Sequence, residues 1–147
     1  MVSQFEIEDA NQKDGLMLAE LRARAMKPSL ESIGRFDEDR VRSRFLKDFK
    51  PSDTRKITVE GKTIGFYVVR CKEDHLYLDH LYVETEFQGT GIGTHVVNTI
   101  KKSAASRGLP IRLGGLRGSR ANAFYRACGF TVSHEDEFDI YYEWMHS

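Results

Sequence analysis

The chain has 147 residues, 40% hydrophobic and 30% charged, and its 22 cationic and 22 anionic side chains leave no net charge. That length suits one domain with a core that needs no metal or disulfide staple, and Cys71 and Cys128, far apart and without metal-ligand spacing, point to reduced thiols in a cytoplasmic protein. The histidines form no zinc pattern, Met1-Val2-Ser3-Gln4-Phe5 lacks an apolar signal core, and no run is long enough to span a bilayer, which sets aside metal-dependent, secreted and membrane classes.

In chain order, Phe5 to Glu8 alternates apolar and acidic residues and predicts a short edge strand. Asp14 to Lys27 carries Leu18, Leu21 and Ala25 at helical spacing, and Pro28 is expected to stop that helix. Asp37 to Phe49 predicts a second helix burying Val41, Phe45 and Phe49, with acids in its first turn where the dipole favours them. Arg55 to Glu60 and Thr63 to Cys71 read as a hairpin turning at Gly61-Lys62, and His75 to Val83 as a third consecutive strand. A helix from Gly93 to Arg107 places Val96, Val97, Ile100 and Ala104 on one face and is capped by Gly108. Ile111 to Leu116 is the next strand, where Gly114-Gly115 suggests a bulge or a close backbone approach. Ser119 caps a helix closed by Gly129, and Thr131 to His134 with Phe138 to Trp144 finish as a hairpin. These elements predict a single α/β domain over residues 1–147. Its core is a mostly antiparallel sheet of about six to seven strands flanked by about four helices, with a strand-helix-strand crossover.

The crossover contains the most informative segment, Gln88-Gly89-Thr90-Gly91-Ile92-Gly93, which joins a strand to an amphipathic helix. Glycines let the backbone turn sharply and approach a ligand, and the helix start offers unpaired N–H groups and the positive end of its dipole, a setting that suits a pyrophosphate. A dinucleotide fingerprint needs a third glycine where Thr94 stands, and a Walker loop needs Gly-Lys-Ser/Thr; neither is present. From Phe87 to His134 there is no acid but there are seven cations, whereas Glu73 to Glu86 and Glu135 to Glu143 each hold five acids. The basic stretch fits an anionic ligand and the acidic strands a cationic one. No aromatic-interleaved or helix-turn-helix pattern accompanies the cations, so nucleic acid is not the expected partner.

Three separated segments, Leu81-Tyr82-Val83, Gln88 to Gly93, and Asn122-Ala123-Phe124-Tyr125-Arg126-Ala127-Cys128-Gly129-Phe130, together resemble the GNAT superfamily of N-acetyltransferases. The resemblance implies transfer of an acetyl group from acetyl-CoA to a primary amine by direct attack on the thioester, without a metal. It implies that the backbone of Gln88, Gly89, Thr90, Gly91, Ile92, Gly93 and Thr94 holds the cofactor's pyrophosphate. Pantetheine would bond to the main chain of Leu81 and Val83 on either side of Tyr82, and the sheet would splay between its fourth and fifth strands near Gly114-Gly115. Asn122 and Tyr125 would flank the thioester, with Tyr125 as general acid toward the sulfur and Arg126 or Lys101 as phosphate partners. Homodimerisation through the aromatics of the last strand is compatible with the family.

An alkylammonium has a pKa near roughly 10.4, so at neutral pH a base or a water chain must take its proton. Asp79 and His80 are the strongly polar residues of an otherwise apolar strand. Asp79 is the candidate base; it matches an acid proposed in that role in spermidine/spermine acetyltransferases, to which this segment is similar. His80 is the reserve, on the opposite face. Met26 to Phe36 and Tyr141-Tyr142-Glu143-Trp144 would line the acceptor side, where acids favour a cationic amine while Arg22, Arg24 and Arg35 offer a carboxylate clamp instead. A protein N-terminus or lysine as acceptor, and a non-catalytic acyl-CoA-binding module, are the competing readings.

Overall fold

The structure is a computed structural model that describes residues 4–146; residues 1–3 of the stretch read for a signal core, and residue 147, lie outside it. The described elements are β1 (Glu6–Asp9), α1 (Gly15–Ser32), α2 (Glu38–Lys47), β2 (Thr54–Val59), β3 (Lys62–Cys71), β4 (Leu76–Val83), α3 (Ile92–Arg107), β5 (Ile111–Leu116), α4 (Ala121–Ala127), β6 (Thr131–Glu135) and β7 (Asp139–Trp144). The strands form one seven-stranded sheet in the order β1-β2-β3-β4-β5-β7-β6. The pairs β1/β2, β2/β3, β5/β7 and β6/β7 are antiparallel. β4 and β5 are parallel, paired only through Leu76↔Ile111 and Tyr77↔Arg112. Both strands continue beyond those pairs, to Val83 and Leu116, so the sheet splays between its fourth and fifth strands in sequence. Among the described residues no helix is long and apolar enough to cross a membrane.

The chain falls into two compact units, one running through Val68 and taking in His80–Ile92, the other holding Val69–Asp79 and the chain from Gly93 on. In the first, Leu18, Ala19 and Leu21 of α1 and Phe45 of α2 pack with Phe66 and Val68 of β3, and Phe49 and Tyr82 close the cluster. Each such large apolar side chain contributes about 1.5–3 kcal/mol on burial. Ala25, expected on this face, is exposed; Ala19 and Ala23 are buried in its place. In the second unit Val96, Val97, Ile100 and Ala104 of α3 are all buried, as their spacing predicts, together with Ile111 and Leu113 of β5.

Four local expectations need correction. Helix α1 runs through Pro28 to Ser32. A proline removes one intrahelical hydrogen bond, and the neighbouring turns carry the helix past it. The helix stops at Gly34, whose φ of +68° takes the left-handed cap while Gly34 N–H bonds to the Glu31 carbonyl and Arg35 N–H to that of Leu30. The β2/β3 hairpin turns one residue earlier than expected, at Glu60-Gly61, both with positive φ (51° and 78°), the requirement of a type I′ turn. Gly114-Gly115 is not a bulge, since the β5/β7 register is unbroken from Ile111↔Trp144 to Leu116↔Asp139. Finally, β7 lies inside the sheet between β5 and β6, and of the last strand's aromatics Tyr142 is buried and not available to an interface, while Tyr141 and Trp144 are half-buried.

Candidate active site

After β4 the chain makes a short 3-10 turn over Thr85–Phe87 and enters the glycine loop. Gln88 donates through Nε2 to the Val83 carbonyl (2.9 Å), and the Thr90 hydroxyl donates to the Phe87 carbonyl. Gly89 and Gly91 have φ of +76° and +90° with no atom crowding their Cα, so their backbone angles require glycine. Gly93 has a different reason: a Cβ there would lie 3.1 Å from the Phe124 ring of α4. Ile92, almost fully buried, pins the start of α3. Among the described residues no turn or loop bond takes up the N–H groups of Gly89, Thr90 or Gly91, and the first-turn amides of α3 have no intrahelical acceptor by construction. This row of donors sits at the positive end of a helix dipole in an acid-free stretch, which fits a pyrophosphate.

Helix α4 carries the predicted acid. Tyr125 is 7% exposed, and its ring packs at 5.3 Å from Phe124, 5.9 Å from Phe130 and 6.3 Å from Tyr142. What fixes this helix is Asn122, 5% exposed. Its Nδ2 donates to the carbonyls of Leu116 (2.8 Å) and Ser119 (3.0 Å), and its Oδ1 accepts from the Tyr142 hydroxyl (2.9 Å), which itself accepts from Arg126 Nη1 (3.3 Å). Asn122, expected beside the cofactor, thus ties the end of β5 to α4 and to β7, and a Cβ on Gly115 would lie 2.7 Å from its Oδ1. Replacing Asn122 by Ala removes two bonds that tie α4 to the end of β5 and leaves the buried Tyr142 hydroxyl without its acceptor, and should cost about 1–3 kcal/mol in denaturant unfolding. Lys101, one of two proposed phosphate partners, donates to the Cys128 carbonyl and lies 5.1 Å from the Trp144 ring centre.

On β4 the two polar residues have different neighbours. Asp79, one third exposed, accepts through Oδ2 from Arg70 Nε at 3.2 Å. His80 packs against the rings of Phe45 (5.3 Å) and Phe66 (6.2 Å), with Nδ1 3.2 Å from the Tyr82 hydroxyl. Neither Arg22 nor Arg24 is uncommitted: Arg22 bonds to Tyr82 and to the Val41 carbonyl, and Arg24 pairs with Glu84 at 3.4 Å. Of the stretch expected to line the acceptor side, residues 26–32 belong to α1.

Within the second unit, the register Tyr77↔Arg112, Arg112↔Glu143, Gly114↔Tyr141 and Leu116↔Asp139 places Tyr77, Tyr141, Asp139 and Glu143 on one face of the sheet. The two phenols converge over Gly114, where a Cβ would meet the Tyr141 ring at 3.1 Å and the Tyr77 hydroxyl at 3.5 Å. Burial, reinforced by Asp79 and Asp139, pushes the Tyr77 phenol up; the hydrogen bond to Asp136 does so for Tyr141. Both are neutral hydrogen-bonding groups at physiological pH. Tyr142, read from sequence as part of this wall, faces the other way into the core. Arg70 as the partner of Asp79 was not foreseen, because it depends on the pairing of β3 with β4.

Comparison with known proteins agrees with this fold. No curated protein sequence matches the chain. The fold is similar to that of the PaiA N-acetyltransferase from Thermoplasma acidophilum in complex with coenzyme A, at 19% identity and a TM-score of 0.80 over 97% of this chain and 99% of that one. It is similar to an acetyltransferase from Thermus thermophilus, at 15% identity and a TM-score of 0.76 over 99% of each chain. The ribosomal-protein-S18-alanine N-acetyltransferase from Escherichia coli gives 17% identity and a TM-score of 0.73 over 97% of this chain and 94% of that one. Residues 54–132, more than half of the sequence, match the acetyltransferase (GNAT) domain. The chain therefore belongs to the GNAT acetyltransferase family.

Proposed function

We propose that the protein transfers an acetyl group from acetyl-CoA to a primary amine. The observation that carries this reading is the row of main-chain donors from Gly89 into the first turn of α3, without backbone acceptors in the loop among the described residues and in a stretch with no acid. Gln88, Gly89, Thr90, Gly91, Ile92, Gly93 and Thr94 hold the pyrophosphate, and the main chain of Leu81 and Val83 holds pantetheine, using the Val83 N–H since Gln88 takes the carbonyl. Asn122 acts by positioning α4. The complex of the Thermoplasma acidophilum neighbour with coenzyme A supports the same ligand here.

When bound, acetyl-CoA supplies an acyl group already activated as a thioester. The protein then has two proton tasks. Asp79 accepts the amine proton, directly or through water, and the Tyr125 hydroxyl protonates the departing thiolate. On the face bearing Tyr77, Asp139, Tyr141 and Glu143, Arg112 pairs with Glu143 (2.9 Å), and Asp139 with the two neutral phenols is what favours a cationic acceptor.

Titration calorimetry with CoA tests the binding half of the proposal on the wild type and on Gly91→Val. A valine forced to φ near +90° is strained by about 1–3 kcal/mol, so CoA affinity should fall about 5- to 150-fold. Undetectable CoA binding to the wild type would refute the proposal.

A further inference from the structure

Within the second unit the turn between β6 and β7 is held from two sides. Asp136 Oδ1 accepts from the main-chain N–H groups of Phe138 (3.0 Å) and Asp139 (2.8 Å), and its Oδ2 accepts from the Tyr141 hydroxyl (3.1 Å). Arg117, the residue after β5, donates through its main-chain N–H to the Phe138 carbonyl (2.7 Å) and through Nη2 to the Asp136 carbonyl (2.9 Å). The N–H groups of Asp139 and Phe138, with the Tyr141 hydroxyl, hold the Asp136 carboxyl below its usual range, so at neutral pH it is an anion. An ionised carboxylate has no proton to give, so in this bond the phenol is the donor. The Tyr141 oxygen keeps its lone pairs, and a carboxylate drawing on its proton makes it a stronger acceptor. Past the Tyr77↔Arg112 pair, Asp79 and Gly114 each lie two residues on, on the same face and on opposite sides of the splay, and the Tyr141 ring lies over Gly114. An amine that gives its proton to Asp79 therefore has this phenol across the splay, and a primary ammonium carries three N–H donors and no acceptor.

We propose that Asp136, braced by Arg117, is a positioning residue that commits the proton of the Tyr141 hydroxyl, so that Tyr141 meets a primary ammonium as a hydrogen-bond acceptor and binds its N–H. That this ammonium is the acetyl acceptor rests on the acetyltransferase reading. The direction of the bond between Tyr141 and Asp136 does not.

The test is a carbon NMR spectrum of the whole protein labelled at tyrosine Cζ, with Tyr141 assigned by its disappearance in Tyr141→Phe. The first reading is the titration of the phenol. The hydrogen bond to Asp136, burial, and the neighbouring Asp139 and Tyr77 all raise it, and His134 stacks on the ring at 4.4 Å. In the wild type Tyr141 should titrate above an ordinary tyrosine, and in Asp136→Asn, which leaves those other neighbours in place, it should fall back toward one. In that variant Oδ1 keeps the two backbone bonds while Nδ2 gives a proton to the phenol oxygen, which reverses the bond. The second reading, at neutral pH, compares n-butylammonium chloride with tetramethylammonium chloride, a cation of the same charge that carries no N–H. Butylammonium should displace the Tyr141 signal of the wild type and tetramethylammonium should not, and the displacement should be lost in Asp136→Asn. An equal response to the two cations, no response to butylammonium, or a Tyr141 titration unchanged in Asp136→Asn overturns the proposal. Neither reading needs turnover, so its failure is separable from failure of the acetyltransferase reading, which CoA binding and thiol release test.

Discussion

Replacing Tyr125 by Phe should lower kcat by about 10² to 10⁴ while leaving CoA affinity and the fold in place. The ring is what α4 packs with, against Phe124, Phe130 and Tyr142, and phenylalanine preserves that packing. What it removes is one hydroxyl, whose net worth to stability is about 1 kcal/mol. An equal-sized loss in kcat and kcat/KM marks an interaction made only in the transition state, as expected of a proton delivered to a leaving thiolate. The loss should shrink with an acyl donor whose thiol is more acidic, because a better leaving group needs less help. Wild-type kcat in Tyr125→Phe would remove the tyrosine from the mechanism.

The second large effect is expected of Asp79→Asn. Asparagine has nearly the same shape and still offers an oxygen to Arg70, but it takes up no proton. A fall in kcat/KM of about 10² is expected at neutral pH, the lower end for a general base because water can substitute in part. The direction with pH separates catalysis from scaffolding. As pH rises toward the amine pKa of roughly 10.4, a growing share of the acceptor arrives neutral, and the deficit of the variant should narrow. A deficit constant from neutral pH upward would assign Asp79 to holding Arg70 alone.

These residues differ in how visible they were in the amino-acid sequence. The loop was legible because its signals are local: glycine is needed at Gly89 and Gly91 for backbone angle, and a helix start follows within a residue, whereas Tyr125 was singled out by the resemblance of its segment. Gly93 was legible as a glycine but for another reason, since its constraint comes from the Phe124 ring. The hydrophobic face of α3 emerged intact from its spacing, whereas the end of α1 was misjudged because Pro28 was weighed alone, without the cap that Gly34 provides. Asn122 was identified, yet its work was not, because its three hydrogen bonds run to β5, to the turn before α4 and to β7. The same holds for Arg70 with Asp79 and for Arg22 with Tyr82: each pair is nine residues or more apart in sequence and meets only once strand pairing and helix packing are set. Alternation did place Asp79 and His80 apart, and their separate neighbours agree with it.

The most direct measurement of the central claim is thiol release from acetyl-CoA in the presence of polyamines, amino acids, aminoglycosides and short peptides, with Tyr125→Phe run alongside. The expected result is turnover with one amine class, cationic acceptors foremost, that collapses in the variant while CoA still binds. Binding of CoA with no amine-dependent thiol release from any class on that panel would contradict the account.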